Sequence, residues 1–305
     1  MTNPHDSDNE ETRHFPSAAQ DAAYAACIST DSPQSCAPAY RLAYDDPEFM
    51  LRDEMRAVRL MLELSKPETL LTEHDIQHTA VIFGSARTCA SDHSDSSQKG
   101  SHQSARNQAY HQARTLARMI TEESLAGACP TLHVVTGGGP GIMEAANRGA
   151  HDAGGKTAGL NIVLPHEQKP NRYVTPELCF RFHYFAMRKL HFLLRAVAVV
   201  VFPGGFGTLD ELFETLTLIQ TGKIRPLPLI LFDKAYWERL IDWELLVSEG
   251  MINRSDLAYF TFVDTPEQAW QIIHRHITCP LAPPQAHSVA ETVTKTEAAP
   301  KQTPQ

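Results

Sequence analysis

Six cysteines, Cys27, Cys36, Cys89, Cys129, Cys179 and Cys279, lie far apart in a chain of 305 residues, and no Cys-x-x-Cys pair occurs. A chain of this size does not need disulfide staples, so reduced thiols in a cytoplasmic protein are expected. The fifteen histidines, among them His74, His78, His93, His102, His111, His166 and His183, are scattered with no His-Glu-x-x-His spacing, and no metal site is expected. No apolar run reaches the roughly 18 residues of a membrane span. The opening MTNPHDSDNEETRHF is acidic and polar where a secretory leader is basic and then apolar. Both observations point to a cytoplasmic protein with no membrane partner. A basic excess is missing too: 27 Lys and Arg against 36 Asp and Glu leave a net charge of −9, which disfavours nucleic acid as a partner. What is present is the composition of a folded soluble chain, with 42% hydrophobic and 21% charged residues, and this excludes collagen-like, coiled-coil and wholly disordered readings.

Residues 1–45 are rich in Asp, Ser, Pro, Asn and Ala without a sustained apolar period, and 280–305 resemble them. Both are expected to be disordered extensions of a single domain over 46–279. A third polar stretch, 89–107, interrupts that domain and reads as a long surface loop. Asp46 and Pro47 supply an N-cap and a first helical position, and Leu51, Met55, Val58 and Leu62 follow at helical spacing, which predicts a helix over 47–65. Beyond it the pattern alternates. Strands are expected at 79–84, 132–136, 157–162, 196–202, 228–232 and near 259–263; helices are expected at 105–126, 141–153, 185–195, 208–221, 235–248 and 266–277. Short apolar strands separated by amphipathic helices predict a parallel sheet covered on both faces, an α/β, Rossmann-like, doubly wound fold. Ligands of such sheets sit beyond the carboxyl ends of the strands, so the loops after 84, 136, 162 and 202 are the places to look for chemistry.

Two of those loops are rich in glycine and each opens a helix: Thr136-Gly137-Gly138-Gly139-Pro140-Gly141 and Pro203-Gly204-Gly205-Phe206-Gly207-Thr208. Backbone N–H groups at a helix start, with no Cβ to block approach, make an anion site, and phosphate is its usual occupant. The bland alternative is that these glycines only permit tight turns. Neither loop is followed by Gly-Lys-Ser/Thr, neither is a Gly-x-Gly-x-x-Gly fingerprint, and Gly84-Ser85-Ala86-Arg87 is not one either, so nucleotide triphosphate and dinucleotide readings lack their motifs. Thr208-x-x-Glu211 can be read as a capping box, in which the glutamate only completes the helix start. Arg188 and Lys189 lie in YFAMRKLHFLL, where a cation pair can instead snorkel from a buried helix.

Together, GGGPGIMEAAN (137–147), FAMRKL (185–190) and PGGFGTLDELFE (203–214) resemble the LOG family, the cytokinin riboside 5′-monophosphate phosphoribohydrolases, whose members were often labelled lysine decarboxylases. The PGGxGTxxE element is matched in full, and the helix at 47–65 with LPHEQKPN (164–171) is similar to the longer bacterial type. The resemblance spans about half the chain, from about Thr79 to Leu231. It implies hydrolysis of the N-glycosidic bond of a purine nucleoside 5′-monophosphate, AMP or an N6-modified relative, without metal or organic cofactor, in a homodimer or an assembly of dimers.

The same resemblance implies that Glu211 and Arg188 are the catalytic pair. Cleavage builds positive charge on the ribose, which a carboxylate can stabilise while orienting water. Arg188 can serve either the phosphate or the leaving base. Phosphate contacts are expected from Gly138, Gly139, Gly141, Lys189, Gly204, Gly205, Phe206, Gly207, Thr208 and Asp210, and base contacts from Glu144, Glu167, Asn171 and Thr217. A pyridoxal decarboxylase needs a Schiff-base lysine in a phosphate cup, and neither Lys189 nor Lys223 has those surroundings in the sequence. The rival of a different class is a non-catalytic protein of this fold that carries a nucleotide or a molybdenum cofactor; it would bind without releasing base.

Overall fold

The computed structural model describes residues 15–28, 31–88, 101–127, 130–165 and 169–278. Its centre is a seven-stranded sheet of β1 (His78–Phe83), β2 (Leu132–Thr136), β3 (Thr157–Ile162), β4 (Cys179–Phe182), β5 (Ala196–Val201), β6 (Leu229–Phe232) and β7 (Phe260–Val263), in the order β4-β3-β2-β1-β5-β6-β7. Every pairing is parallel. This is the doubly wound Rossmann-like fold, and the sheet grows outwards in opposite directions from β1 and β5. Strand β4 was not foreseen. It is a four-residue edge strand whose exposed Arg181 interrupts the apolar run that marks the inner strands.

Alternate strand residues sort into two cores. Ala80, Ile82, Val134, Ala198, Val200 and Ile230 pack against α4 (Ser101–Leu125), α5 (Ile142–Asp152) and α10 (Pro266–Thr278). Val81, Phe83, Val135, Leu160, Val199 and Leu231 face α3 (Arg56–Glu73), α6 (Phe185–Leu194), α7 (Phe206–Gln220), α8 (Lys234–Leu240) and α9 (Trp243–Ser248). Both faces of the central strands are thus buried, which is why they read as continuous apolar runs.

The N-terminal region differs from its expectation. Residues 15–45 hold a helix, α1 (Ala18–Ala26), closed by a Ser17–Gln20 capping box, although none of these described residues is buried. Local capping rather than a core supports it, which apolar periodicity could not reveal. Asp46 does cap a helix start, accepting from the N–H groups of Glu48 and Phe49, but α2 (Pro47–Met50) stops after four residues. Arg59 donates to the carbonyls of Met50 and Arg52, drawing on acceptors a continuous helix would use. Helix α3 then starts at Arg56 and runs through the buried Pro67, past the expected end at 65. The expected helix over 235–248 is split into α8 and α9 at Asp242, which caps α9. Of the expected loop 89–107, residues 89–100 lie outside the described residues and the remainder is the first part of α4. Residues 1–14 and 279–305 also lie outside them.

Candidate active site

Strands β1 and β5 are neighbours at the point where the strand order reverses, and the loops leaving their carboxyl ends are locked together. The Ser85 N–H donates to the Pro203 carbonyl at 3.1 Å, and the Ser85 carbonyl accepts from the Ile142 N–H at 3.0 Å. One residue therefore ties the β1 loop to both glycine loops. Gly141 has φ +75°, and a Cβ there would lie 2.2 Å from the Ser85 oxygen, so only glycine fits.

Over these loops lies a cavity of about 960 Å³, lined by residues 84–88, by Ala105, Arg106 and Ala109 of α4, by Met143, Ile162, Leu164, Phe185 and Arg188, by 203–209 and Glu211, and by Asp233, Tyr236 and Leu240. Helix α7 begins at Phe206, two residues before the expected 208, with Gly205 as its N-cap and no side-chain capping bond. Open space surrounds the Gly205 and Gly207 Cα atoms where a Cβ would stand. The helix start thus offers uncapped amides and the positive end of its dipole to the cavity. Tyr236 donates from its hydroxyl to the Gly204 carbonyl at 2.6 Å and holds the loop from behind. Phe206 is 92% exposed and offers an aromatic face at the mouth.

Deeper in the cavity Glu211 and Arg188 form an ion pair at 3.2 Å, their side chains only 13% and 10% exposed. The capping box is not formed, because Glu211 sits beyond the first turn of α7 and its carboxylate turns to Arg188. Arg188 does not snorkel either: its Nε donates to the Leu160 carbonyl of β3 at 2.6 Å, and its guanidinium lies over the Phe192 ring. Helix α6, which carries it, is fixed at its N-terminal end by α3, since the Glu63 carboxylate accepts from the N–H groups of His183 and Tyr184 at 2.7 and 3.1 Å. Burial pushes the Glu211 carboxyl up to about 7 against the pull of Arg188, with the Asp210 charge adding to the rise. Burial likewise lowers the Arg188 guanidinium, opposed by Glu211. A carboxylate poised near neutrality beside a fixed cation is the arrangement acid–base and charge-stabilising chemistry requires.

The structure brings Glu211, Arg188, Gly204, Gly205, Phe206, Gly207 and Thr208 together around the cavity and leaves the other expected contacts among the described residues off its lining. Lys189 pairs with Asp210 and Glu214 at 2.7 and 3.1 Å beside the site. Gly139 packs against Met143, Gly138 against Asn161 and Gly141 against Ser85 and Ala86; the Gly138 N–H is taken by the Thr136 hydroxyl, and the Asn171 amide holds the Gly138 and Gly139 carbonyls at 3.1 and 3.0 Å. That loop is a buttress, and Asn171 is its bracket rather than a base contact. Glu144 accepts from the Tyr110 hydroxyl, and the Thr217 hydroxyl donates to the Phe213 carbonyl; neither lines the cavity. Glu167 lies outside the described residues.

No lysine lines the cavity among the described residues, so a Schiff base has no amine there. Those residues also contain no group of three or more His, Cys, Asp or Glu able to hold a metal ion, and no helix long and apolar enough to cross a membrane. Sequence reasoning missed Ser85, Arg87, Arg106, Asp233 and Tyr236. Their segments carry no phosphate fingerprint, and the usable signal for Ser85 and Arg87 was their place directly after β1.

Residues 143–273 match the family model described as "Possible lysine decarboxylase". Among curated proteins, the chain is 34% identical over 123 residues to the cytokinin riboside 5′-monophosphate phosphoribohydrolase LOG of Oryza sativa subsp. japonica, covering 39% of this chain and 49% of that one. It is 29% identical over 137 residues to the rice protein named probable cytokinin riboside 5′-monophosphate phosphoribohydrolase LOG4, covering 44% and 58%. With the enzyme LOG3 of Arabidopsis thaliana it is 27% identical over 149 residues, covering 48% and 68%. The chain thus spans about half to two thirds of the length of these relatives. Among solved structures, that of TM1055 aligns with 20% identity and a TM-score of 0.42 over 65% of this chain and 99% of that one. The Moco carrier protein of Chlamydomonas reinhardtii aligns with 16% identity and a TM-score of 0.42 over 66% and 98%.

Proposed function

We propose that this chain, similar to cytokinin riboside 5′-monophosphate phosphoribohydrolases over 39% to 48% of its length, is an enzyme of the LOG family that hydrolyses the N-glycosidic bond of a purine nucleoside 5′-monophosphate, AMP or an N6-modified AMP, to free base and ribose 5-phosphate. One observation carries the reading: the buried Glu211–Arg188 pair lies within the same cavity as the uncapped start of α7. The phosphate rests on the amides of that helix start, which sets the ribose over Glu211 on the same helix. As the C1′–N bond lengthens and the base departs, positive charge grows on the ribose, and the ionised Glu211 stabilises it and orients the attacking water. The water oxygen bonds to C1′, the bonding pair leaves with the base, and one water proton balances it. Arg188, anchored to Leu160, keeps the carboxylate in place and favours its ionised form. The acting species is a homodimer or an assembly of dimers.

The test incubates the purified protein with AMP, N6-isopentenyl-AMP, GMP, CMP and the matching nucleosides, following base and ribose 5-phosphate by chromatography, with Glu211→Gln alongside. Base appears from purine monophosphates alone, and the folded variant loses at least about 100-fold in kcat. Binding of a monophosphate without base release would overturn the hydrolase reading in favour of a carrier.

A further inference from the structure

The lining of the cavity that holds the start of α7 includes two further arginines, Arg87 and Arg106, and neither belongs to the family's motifs quoted above. Arg87 stands in the loop after β1, where its own N–H donates to the Ser85 hydroxyl at 3.1 Å, and Arg106 stands near the start of α4. Both line the cavity, both are exposed, and neither has an ion pair or side-chain hydrogen bond with the described residues. The other arginines of the cavity and its support are engaged: Arg188 with Glu211 and Leu160, and Arg195 with Glu68 and Ile76.

The backbone bond from Ser85 to Pro203 sets the β1 loop against the second glycine loop, and Arg87, two residues on, lines the same cavity as Gly205. With the Glu211–Arg188 pair close to neutral as a unit, Asp233 is the one other acid on the lining among the described residues, and it is engaged in capping α8. A chain of net charge −9 thus presents two arginines at this cavity that no acid among the described residues neutralises. Such a pair attracts anions.

We propose that Arg87 and Arg106 form the second half of the phosphate site, closing on the phosphoryl oxygens opposite the α7 amides and so selecting phosphorylated over unphosphorylated nucleosides. The inference rests on the proposed function for the identity of the substrate, but the anion clamp itself is testable without turnover. Guanidinium groups bind phosphoryl oxygens in paired, charge-assisted bonds that helix amides alone do not supply.

The test uses the full chain with Arg87→Gln, Arg106→Gln and the double variant, none of which removes a contact that holds the fold. Ribose 5-phosphate is the binding probe, read by the rise in melting temperature, and AMP or its N6-modified relative is the kinetic one. Expected is a rise in melting temperature with the unaltered protein that is lost in the double variant. Each single variant raises KM for the monophosphate by about tenfold, with the loss concentrated in KM rather than kcat. An unchanged thermal shift and KM in the double variant overturn the clamp, as does a wild-type protein that ribose 5-phosphate does not stabilise. If no monophosphate releases base while the thermal shift is present and arginine-dependent, the clamp stands and the hydrolase reading falls.

Discussion

On an exposed helix face Glu211 would titrate as an ordinary carboxyl; buried beside Arg188 it is pushed up to about 7. In the proposed reaction the ionised form stabilises the ribose cation, so kcat/KM is expected to rise with pH through an acid limb near 7, falling about tenfold per pH unit below it. The Asp210 charge contributes to that rise, so Asp210→Asn shifts the limb to lower pH in the same rate profile. Stability runs the other way. A folded-state value above the unfolded one means the fold holds this proton more tightly, so its contribution is complete below the ordinary carboxylate value and is lost as pH rises through about 7. Melting temperatures measured across that window should show this decline in the unaltered chain and lack it in Glu211→Gln. A decline of equal size in both proteins would remove Glu211 as its source.

At the scale of elements, catalytic geometry depends on how loops and helices are braced. Gly141 holds a positive φ against the Ser85 carbonyl, so Gly141→Ala should cost at least about 2 kcal/mol in denaturant unfolding and disturb the β1 loop that carries Arg87. Helix α6 is set by α3 through Glu63. Glu63→Ala should cost about 1 kcal/mol, as loss of a helix-start acceptor does, and lower kcat several-fold as Arg188 loses its fixed approach to Glu211. A stability loss with unchanged kcat would reduce Glu63 to a purely structural brace.

For the whole molecule, the sheet order decides where the site is. The strand order reverses between β1 and β5, so the helices that follow them, α4 and α7, lie on opposite faces of the sheet, and the crevice above the two strand ends becomes the cavity. The N-terminal region stands apart from that centre: residues 15–45 contribute no buried residue among those described. Deleting 1–45 should therefore change the melting temperature by less than roughly 3 °C and leave base release intact, as a thermal scan and the chromatographic assay would show. A larger loss would mean that α1 and the turns after it support the fold through surface contacts.

Much of this was legible in the order of residues. Apolar strands of five or six residues alternating with amphipathic helices determine a covered parallel sheet, because no other packing buries both faces of such strands. The PGGFGTLDE segment likewise determined an open helix start with Glu211 upon it. Tertiary structure alone decided which neighbours these groups meet. It removed the capping alternative for Glu211 and set its carboxylate against Arg188, across 23 positions of sequence, and it made Asn171 a bracket for the first glycine loop. It also brought Arg87 and Arg106 to a wall that no local pattern marks. Periodicity and turn chemistry act over a few residues, whereas desolvation and ion pairing depend on what the folded chain places within a few ångströms, and the sheet order sets that.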